Sequence, residues 1–148
     1  MRLSDLPLWA TWAITSFVTL IVTAILAFTK TGRSLIGRCP DDTLDLTIHL
    51  TRDETVRVIT EATPGSGYRV DVVSRNGDCV VLADGPNFFS WGFFYPIYLA
   101  PVGDGDTRIR IGIKSRLFQD RLTNPIRASR RERVHRWILD VFSTQAAV

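Results

Sequence analysis

The sequence predicts an α+β protein with one N-terminal transmembrane helix, followed by a small domain in which helices cover one face of an antiparallel sheet. Two observations predict this class: a long uncharged apolar segment stands at the N-terminus, and short alternating segments separated by turn residues follow it. With 148 residues, 45% of them hydrophobic and 22% charged, the chain suits one domain beyond that segment. We therefore predict an anchor over residues 1–29, a linker over 30–43 and an α+β domain over 44–148.

The apolar segment runs from Leu6 to Phe28 without a charged residue. As a helix it would extend about 34 Å, enough to cross a hydrocarbon core of about 30 Å. Trp9 and Trp12, near its start, are typical of the membrane interface. A cleaved signal peptide is the alternative, but its apolar core is usually about 7–15 residues long and follows a basic region. The sequence therefore favours a retained anchor.

The charges on either side of this segment predict its orientation. Three basic residues lie between positions 29 and 38, whereas Arg2 is the basic residue that precedes the segment. The positive-inside rule then places the domain in the cytoplasm, at the cell inner membrane. There Cys39 and Cys79 would be reduced thiols, whereas in an exported domain they would be the candidates for a disulfide bond.

Small residues recur at every fourth position of the anchor. This spacing places them in one ridge, where a second helix could approach closely. The alternative is that the threonine hydroxyls donate to carbonyls of their own helix, which lipid tolerates. The predicted helix–helix contact consists of Thr11, Thr15, Thr19, Thr23 and Ala27.

The first part of the domain predicts a strand followed by a helix. Apolar and polar residues alternate from Leu44 to Leu50, as in a half-buried strand. Thr51 stands three residues before Glu54, the spacing of a capping box, which predicts a helix over Arg52 to Ala62. A β-hairpin follows, because residues 76 and 77 are Asn-Gly, a pair that tolerates positive φ, between two strand-like segments.

The remaining elements complete a β-α-β-β-β-β-α order. An aromatic-rich segment reaches Pro101, and a turn rich in Gly and Asp precedes an alternating strand from Thr107 to Lys114. Apolar residues at helical spacing predict a final helix from about Pro125 to Ser143.

No motif of a known catalytic or cofactor site occurs: there is no phosphate-binding loop, nucleophile elbow or dinucleotide fingerprint. His49 and His135 lie far apart in the sequence, without Cys or His at metal-binding spacing. We therefore predict that the protein is not an enzyme and that it carries neither a cofactor nor a metal.

The final third of the chain is strongly basic, since residues 107–136 hold ten basic and two acidic residues. The nearest polyanion to a tethered domain is anionic lipid, and each basic residue near it contributes about 1 kcal/mol. Nucleic acid is not expected as a partner, because no stacking aromatic residues alternate with the arginines. A solvated helix face is the alternative. The predicted basic patch consists of Arg116, Arg127, Arg130, Arg131 and Arg133.

An aromatic run precedes this basic region, and strict alternation cannot bury all of it on one side of a strand. Packing against Trp137 and Phe142 would account for part of the run, while the rest would form an exposed interaction surface. Gly92 and Pro96 favour a loop or a bulged edge within it. The predicted contacts to a partner or the membrane interface are Phe88, Phe89, Trp91, Phe93, Phe94 and Tyr95.

Ser115-Arg116 ends the alternating strand, and the spacing from Asp120 to Asn124 and then to Arg127 follows it. This ending resembles that of an uncharacterised bacterial family with a Ser-Arg pair and a D-x-G-x-N-x-x-R motif before its last helix. Leu122 replaces the glycine, and Asp120 lies one residue closer to Arg116 than in the family. The resemblance implies the same α+β sheet and assigns no reaction. It also implies a linked cluster of side chains, which consists of Arg116, Asp120, Asn124 and Arg127.

Taken together, these patterns predict a single-pass membrane protein whose domain binds rather than catalyses. It would be an accessory or assembly subunit docked on a larger membrane protein complex, with the membrane and the other subunits as partners and anionic lipid as an additional one. The alternative is a membrane-tethered domain that binds lipid or another hydrophobic ligand in a cavity between sheet and helix.

Overall fold

The computed structural model describes residues 7–37, 39, 43–85, 92–116 and 124–146. The chain forms two compact units, Met1–Lys30 and Thr31–Val148. The described residues form three α-helices, a short 3₁₀ helix and a six-stranded antiparallel sheet, so that the predicted α+β class is confirmed.

The first unit contains α1, Leu8–Thr29, a 22-residue helix about 33 Å long. The part from Leu8 to Leu26 is apolar and long enough to cross a membrane, a property shared by signal sequences near an N-terminus. Its large apolar side chains are solvent-exposed, Trp9 by 74% and Phe17 by 63%. The helix therefore has the length and surface of a membrane span.

The second unit begins with β1, Leu44–Ile48, and α2, Arg52–Ala62. The predicted capping box is confirmed: Glu54 N–H donates to Thr51 Oγ1 over 3.4 Å, and Thr51 N–H donates to Glu54 Oε2 over 3.1 Å. Hydrogen bonds from Thr51 lower the pKa of Glu54. The start of α2 is thus determined by local sequence alone.

The remaining elements are four longer strands, a short strand and the last helix. They are β2 (Arg69–Val73), β3 (Cys79–Ala83), β4 (Phe93–Val102), β5 (Asp106–Ile111), β6 (Lys114–Ser115) and α3 (Asn124–Ala146). The strand order is β1-β5-β4-β3-β2, and β6 pairs with β4. Since β1 and β2 are the two edge strands, α2 connects one edge of the sheet to the other.

The hairpin between β2 and β3 is wider than a two-residue turn. Gly77 has a positive φ of 68°, whereas Asn76 does not, so the turn is not of the type in which both central residues have positive φ. Ser74 closes the loop: its carbonyl accepts from Gly77 N–H over 3.1 Å, and its Oγ accepts from Cys79 N–H over 3.0 Å.

The predicted strand over Thr107 to Lys114 is divided into β5 and β6 because it lies opposite Pro96 in the centre of β4. Gly112 N–H donates to the Pro96 carbonyl over 2.9 Å, but proline has no N–H to return the second hydrogen bond. Pro96 therefore lies inside the sheet, not on a bulged edge, and one bond of the ladder is missing.

One face of the sheet carries α2 and α3, as predicted. Ile59 of α2 and Val134 and Ile138 of α3 are fully buried against alternate residues of the strands. The helix-covered core consists of Ile48, Ile59, Val80, Leu82, Phe93, Tyr95, Ile97, Leu99, Ile109, Ile111, Ile113, Val134 and Ile138.

The opposite face is covered by a 3₁₀ helix, Gly32–Leu35, within the segment predicted as a linker. Gly32 N–H donates to Asp71 Oδ2 over 2.6 Å, and Tyr98 Oη donates to the Leu35 carbonyl over 2.7 Å. A Cβ on Gly32 would overlap the Val81 side chain, so only glycine permits this approach. This part of the linker is therefore packed on the sheet.

Candidate functional site

A buried carboxylate at the end of β3 connects three elements of the domain. Asp84 Oδ1 accepts from the Phe93 N–H over 2.6 Å. Its Oδ2 accepts from Tyr95 Oη over 2.8 Å and from Arg130 Nη1 over 2.6 Å. The side chains of Asp84 and Arg130 are only 9% and 22% exposed, so the ion pair is shielded from water.

Hydrogen bonds between Asp84 and Phe93 join the end of β3 to the start of β4. Asp84 N–H donates to the Phe93 carbonyl over 3.2 Å. Gly92 has a φ of +93°, and a Cβ there would lie 2.8 Å from the Asp84 carbonyl oxygen. The chain can therefore return to the sheet at this point only with glycine.

Tyr95 is a hydrogen-bond donor in this cluster rather than a base. Burial and the neighbouring Asp84 carboxylate raise its pKa, so the hydroxyl keeps its proton. Its ring packs edge-on against Tyr68 with centroids 5.5 Å apart, and Tyr68 packs against Trp137 at 5.4 Å. The hydrogen bonds of Asp84 and the packed rings of Tyr95, Tyr68 and Trp137 therefore connect the sheet to α3.

Two residues of the predicted basic patch, Arg127 and Arg130, are only partly exposed on α3. Arg130 stands four residues before the buried Val134, and Arg127 stands seven before it, so both share its side of α3. Arg127 Nη2 donates to the Ile113 carbonyl over 3.2 Å. Of the remaining patch residues on α3, Arg131 is half-buried and Arg133 is exposed.

Arg116 does not belong to an exposed patch either, because it is 2% exposed. Its guanidinium carbon lies 4.8 Å from the centroid of the Phe94 ring, on the face opposite α3. Its Nε and Nη2 have no hydrogen-bond partner among the described residues. Burial, and to a lesser extent the nearby Arg69, lower its pKa. Of the five residues in the predicted basic patch, Arg116 is therefore buried, Arg127, Arg130 and Arg131 are partly exposed, and Arg133 is exposed.

Three of the six predicted aromatic contact residues are buried in the domain, and the other three are not among the described residues. Phe93 and Tyr95 are fully buried under the helices, and Phe94 is 4% exposed on the opposite face. The prediction that these three contact a partner or the membrane is wrong, because successive strand residues are buried on both faces of the covered sheet. Phe88, Phe89 and Trp91 lie outside the described residues.

The threonine ridge of α1 has its hydroxyl groups bound to its own backbone. Each donates to the carbonyl four residues earlier, over 2.8 Å from Thr15, 2.8 Å from Thr19 and 2.7 Å from Thr23. Thr11 does so over 3.5 Å, and the side chain of Ala27 lies outside the described residues. The methyl groups remain available for packing, and the helix–helix contact stays a prediction.

His49, Cys39 and Cys79 differ in their exposure and in their neighbours. His49 is exposed, and its Nδ1 lies 2.9 Å from Asp106 Oδ1. Burial raises the pKa of the Cys79 thiol to about 12, while Cys39 is exposed, and neither is in a disulfide. Among the described residues no three His, Cys, Asp or Glu side chains are grouped to hold a metal ion.

A groove of about 500 Å³ lies between the 3₁₀ helix and the β2–β3 hairpin. The sequence gives no indication of this groove, because Arg33 flanks the anchor in the sequence and joins Arg75 in one lining only where the 3₁₀ helix packs on the sheet. The groove is lined by Arg33, Ile36, Val72, Val73, Ser74, Arg75, Asn76 and Asp78.

Comparison of the chain with protein-family models, curated proteins and solved structures finds no match. The resemblance to an uncharacterised bacterial family therefore stays a prediction. Asp120 lies outside the described residues, and Asn124 begins α3. The linked cluster that this resemblance implies stays a prediction as well.

Proposed function

We propose that the protein is a single-pass membrane protein and an accessory or assembly subunit of a larger membrane protein complex. The observation that carries this proposal is α1, whose 22 residues, Leu8–Thr29, include no charged side chain. Its large apolar side chains are exposed along the helix, and water is an unfavourable environment for that much continuous apolar surface. A bilayer is the environment that this surface fits.

The short connection to the domain supports a tethering role. Lys30 and Thr31 separate α1 from the 3₁₀ helix, which is itself hydrogen-bonded to β2 through Gly32 and Asp71. A domain joined in this way stays at the membrane surface. Such a domain meets partners that are themselves in the membrane far more often than it meets soluble ones.

Two surfaces are proposed for docking. On α1, the hydroxyl groups of Thr15 and Thr19 donate to carbonyls of their own helix, which leaves small apolar methyl groups for packing against another helix. In the domain, the proposed contacts are Phe88, Phe89 and Trp91. Both ends of their segment are held in place, since Asp84 binds Phe93 on the returning strand.

The domain is proposed to lie in the cytoplasm, because the basic residues after α1 outnumber those before it. A reporter fused after Val148 tests this orientation. A phosphatase that is active there only on the outer side of the membrane should be inactive, and a fluorescent protein that folds only in the cytoplasm should be bright. The reverse pattern contradicts the orientation.

The alternative, a carrier of a hydrophobic ligand, receives no support from the described core. A ligand cavity would have to lie between the sheet and the helices, where Tyr95, Tyr68 and Trp137 pack against one another. We therefore do not propose it as a second function.

Co-purification in mild detergent tests the proposed function. A subunit should recover the same membrane proteins at a fixed ratio, and Thr15→Leu with Thr19→Leu should reduce their recovery by filling the ridge. Ile14→Ala with Val18→Ala, elsewhere on the same helix, serves as the control and should retain the partners. Recovery of the chain alone from membranes would contradict a subunit role.

A further inference from the structure

We propose that the groove between the 3₁₀ helix and the β2–β3 hairpin binds the phosphate of an anionic phospholipid headgroup. This inference rests on the proposed membrane anchoring through α1. It assigns a specific binding site to a domain for which the proposed function names only protein partners.

The first argument is the charge of the groove. Arg33 and Arg75 are both exposed and line its walls, from the 3₁₀ helix and from the hairpin. One acidic residue, Asp78, also lines it, but its Oδ1 accepts a hydrogen bond from Ser74 Oγ and is held against the hairpin. Two guanidinium groups around a concave surface suit a phosphate, which they can bind through paired hydrogen bonds.

The second argument is the composition of the remaining wall. Ile36, Val72 and Val73 supply apolar surface beside the arginines, and Val73 is 38% exposed. A lipid headgroup has both parts in sequence, a charged phosphate and then a glycerol with the start of its acyl chains. Inorganic phosphate would use only the charged part. The mixed lining therefore favours the lipid over a free ion.

The third argument is the length of chain between groove and anchor. Only four residue steps separate Thr29, the end of α1, from Arg33. An extended chain covers at most about 3.6 Å per residue, so these four steps reach no more than about 14 Å. If α1 spans a bilayer, this tether keeps Arg33 within about 14 Å of the end of the span, in reach of the lipid headgroups. The 3₁₀ helix is fixed to the sheet at Tyr98, so the other wall of the groove is carried with it.

The charged surface of α3 is the competing explanation for lipid binding, and it provides the matched control. Arg133 and Arg136 are exposed on that helix, which covers the other face of the sheet. A double substitution there, R133Q with R136Q, removes the same charge as R33Q with R75Q. A difference between the two variants therefore reports the groove and not the net charge.

The test uses the full chain, purified in mild detergent. Binding of dioctanoyl phosphatidylglycerol is titrated by native mass spectrometry, with dioctanoyl phosphatidylcholine and inorganic phosphate as comparison ligands. At about 1 kcal/mol for each basic residue near an anionic lipid, R33Q with R75Q should weaken phosphatidylglycerol binding by about 30-fold. R133Q with R136Q should leave it within about 3-fold of the unaltered chain. The single variants R33Q and R75Q should each lose about 5-fold, and they keep the test valid if the double variant fails to fold.

Any one of the following results would overturn the proposal. An equal loss in the α3 control would assign binding to general charge, and equal affinity for phosphatidylcholine would remove the requirement for an anionic lipid. Inorganic phosphate that binds as tightly as the lipid would make this a site for a soluble anion. Extraction of the same variants at alkaline pH separates the two proposals. If lipid binding is unchanged in R33Q with R75Q while the chain resists extraction, the groove assignment alone fails; release of every form of the chain refutes the anchoring.

Discussion

Replacing Asp84 with asparagine tests whether the buried ion pair with Arg130 holds the domain together. The substitution preserves volume but removes the charge, and it places an amide donor or a weaker acceptor opposite Tyr95 Oη and Arg130 Nη1, which lie 2.8 and 2.6 Å from the carboxylate. Removing one partner of a buried pair costs about 3–5 kcal/mol. Because Arg130 is 22% exposed and can regain some water, we expect a loss near the lower limit, about 3 kcal/mol.

The measurement is the free energy of unfolding in guanidinium chloride, followed by circular dichroism on the full chain in mild detergent. The matched control is Asp45→Asn, because Asp45 pairs with Arg110 at 3.5 Å on the surface, where the side chains are 52% and 43% exposed. Exposed pairs contribute about 0–1 kcal/mol. Arg130→Gln and the double variant complete a mutant cycle, in which the two losses should be strongly non-additive. Equal losses for D84N and D45N would refute the reasoning.

Three further substitutions or probes test other features of the domain. Arg116→Met should leave the free energy of unfolding unchanged or raise it by about 1–4 kcal/mol, because Met fills similar space without a buried guanidinium whose Nε and Nη2 find no hydrogen-bond partner among the described residues. A clear loss would mean that the charge has a partner. Gly92→Ala should cost about 1–3 kcal/mol, since its φ is +93° and a Cβ would meet a backbone oxygen at 2.8 Å. Gly85→Ala is the control and should cost clearly less, because a Cβ there meets no atom of the described residues within 4 Å. Burial raises the pKa of the Cys79 thiol from 9.0 to about 12, so Cys79 should resist thiol reagents at pH 8 while Cys39 reacts. The free energy of unfolding should fall as the pH rises above about 9, because only the unfolded chain then releases the Cys79 proton. Equal labelling of both thiols in the folded chain would contradict the burial of Cys79.

The features that the sequence predicts well depend on neighbouring residues. The start of α2 follows from Thr51 and Glu54, three residues apart, and the sheet follows from alternating segments and their turns. Helical spacing predicts α3, although the helix is longer at both ends than its apolar residues indicate. Local signals therefore suffice for the class and the order of the elements.

The features that the sequence did not predict depend on contacts across many residues. Arg130 binds Asp84 from 46 positions away, and Gly32 binds Asp71 from 39 positions away. Both arginine and aspartate look like solvent-exposed residues when only their neighbours are considered. One signal was present: Arg130 lies one helical turn before Val134, on the buried side of α3.

The burial of the aromatic residues on both faces of β4 had a similar cause. Alternation assigns one face to a core and the other to solvent, but the 3₁₀ helix supplies a second apolar layer against Phe94. A segment rich in glycine and without periodicity gave no indication that it would pack there. The second covered face could be found only once the whole sheet was assembled.

The intact mass of the chain recovered from membranes washed at alkaline pH tests the central claim most directly. Anchoring through α1 predicts that the protein stays in the membrane pellet with the full mass of 16.7 kDa. A shorter chain in the high-speed supernatant, lacking the residues of α1, would contradict it.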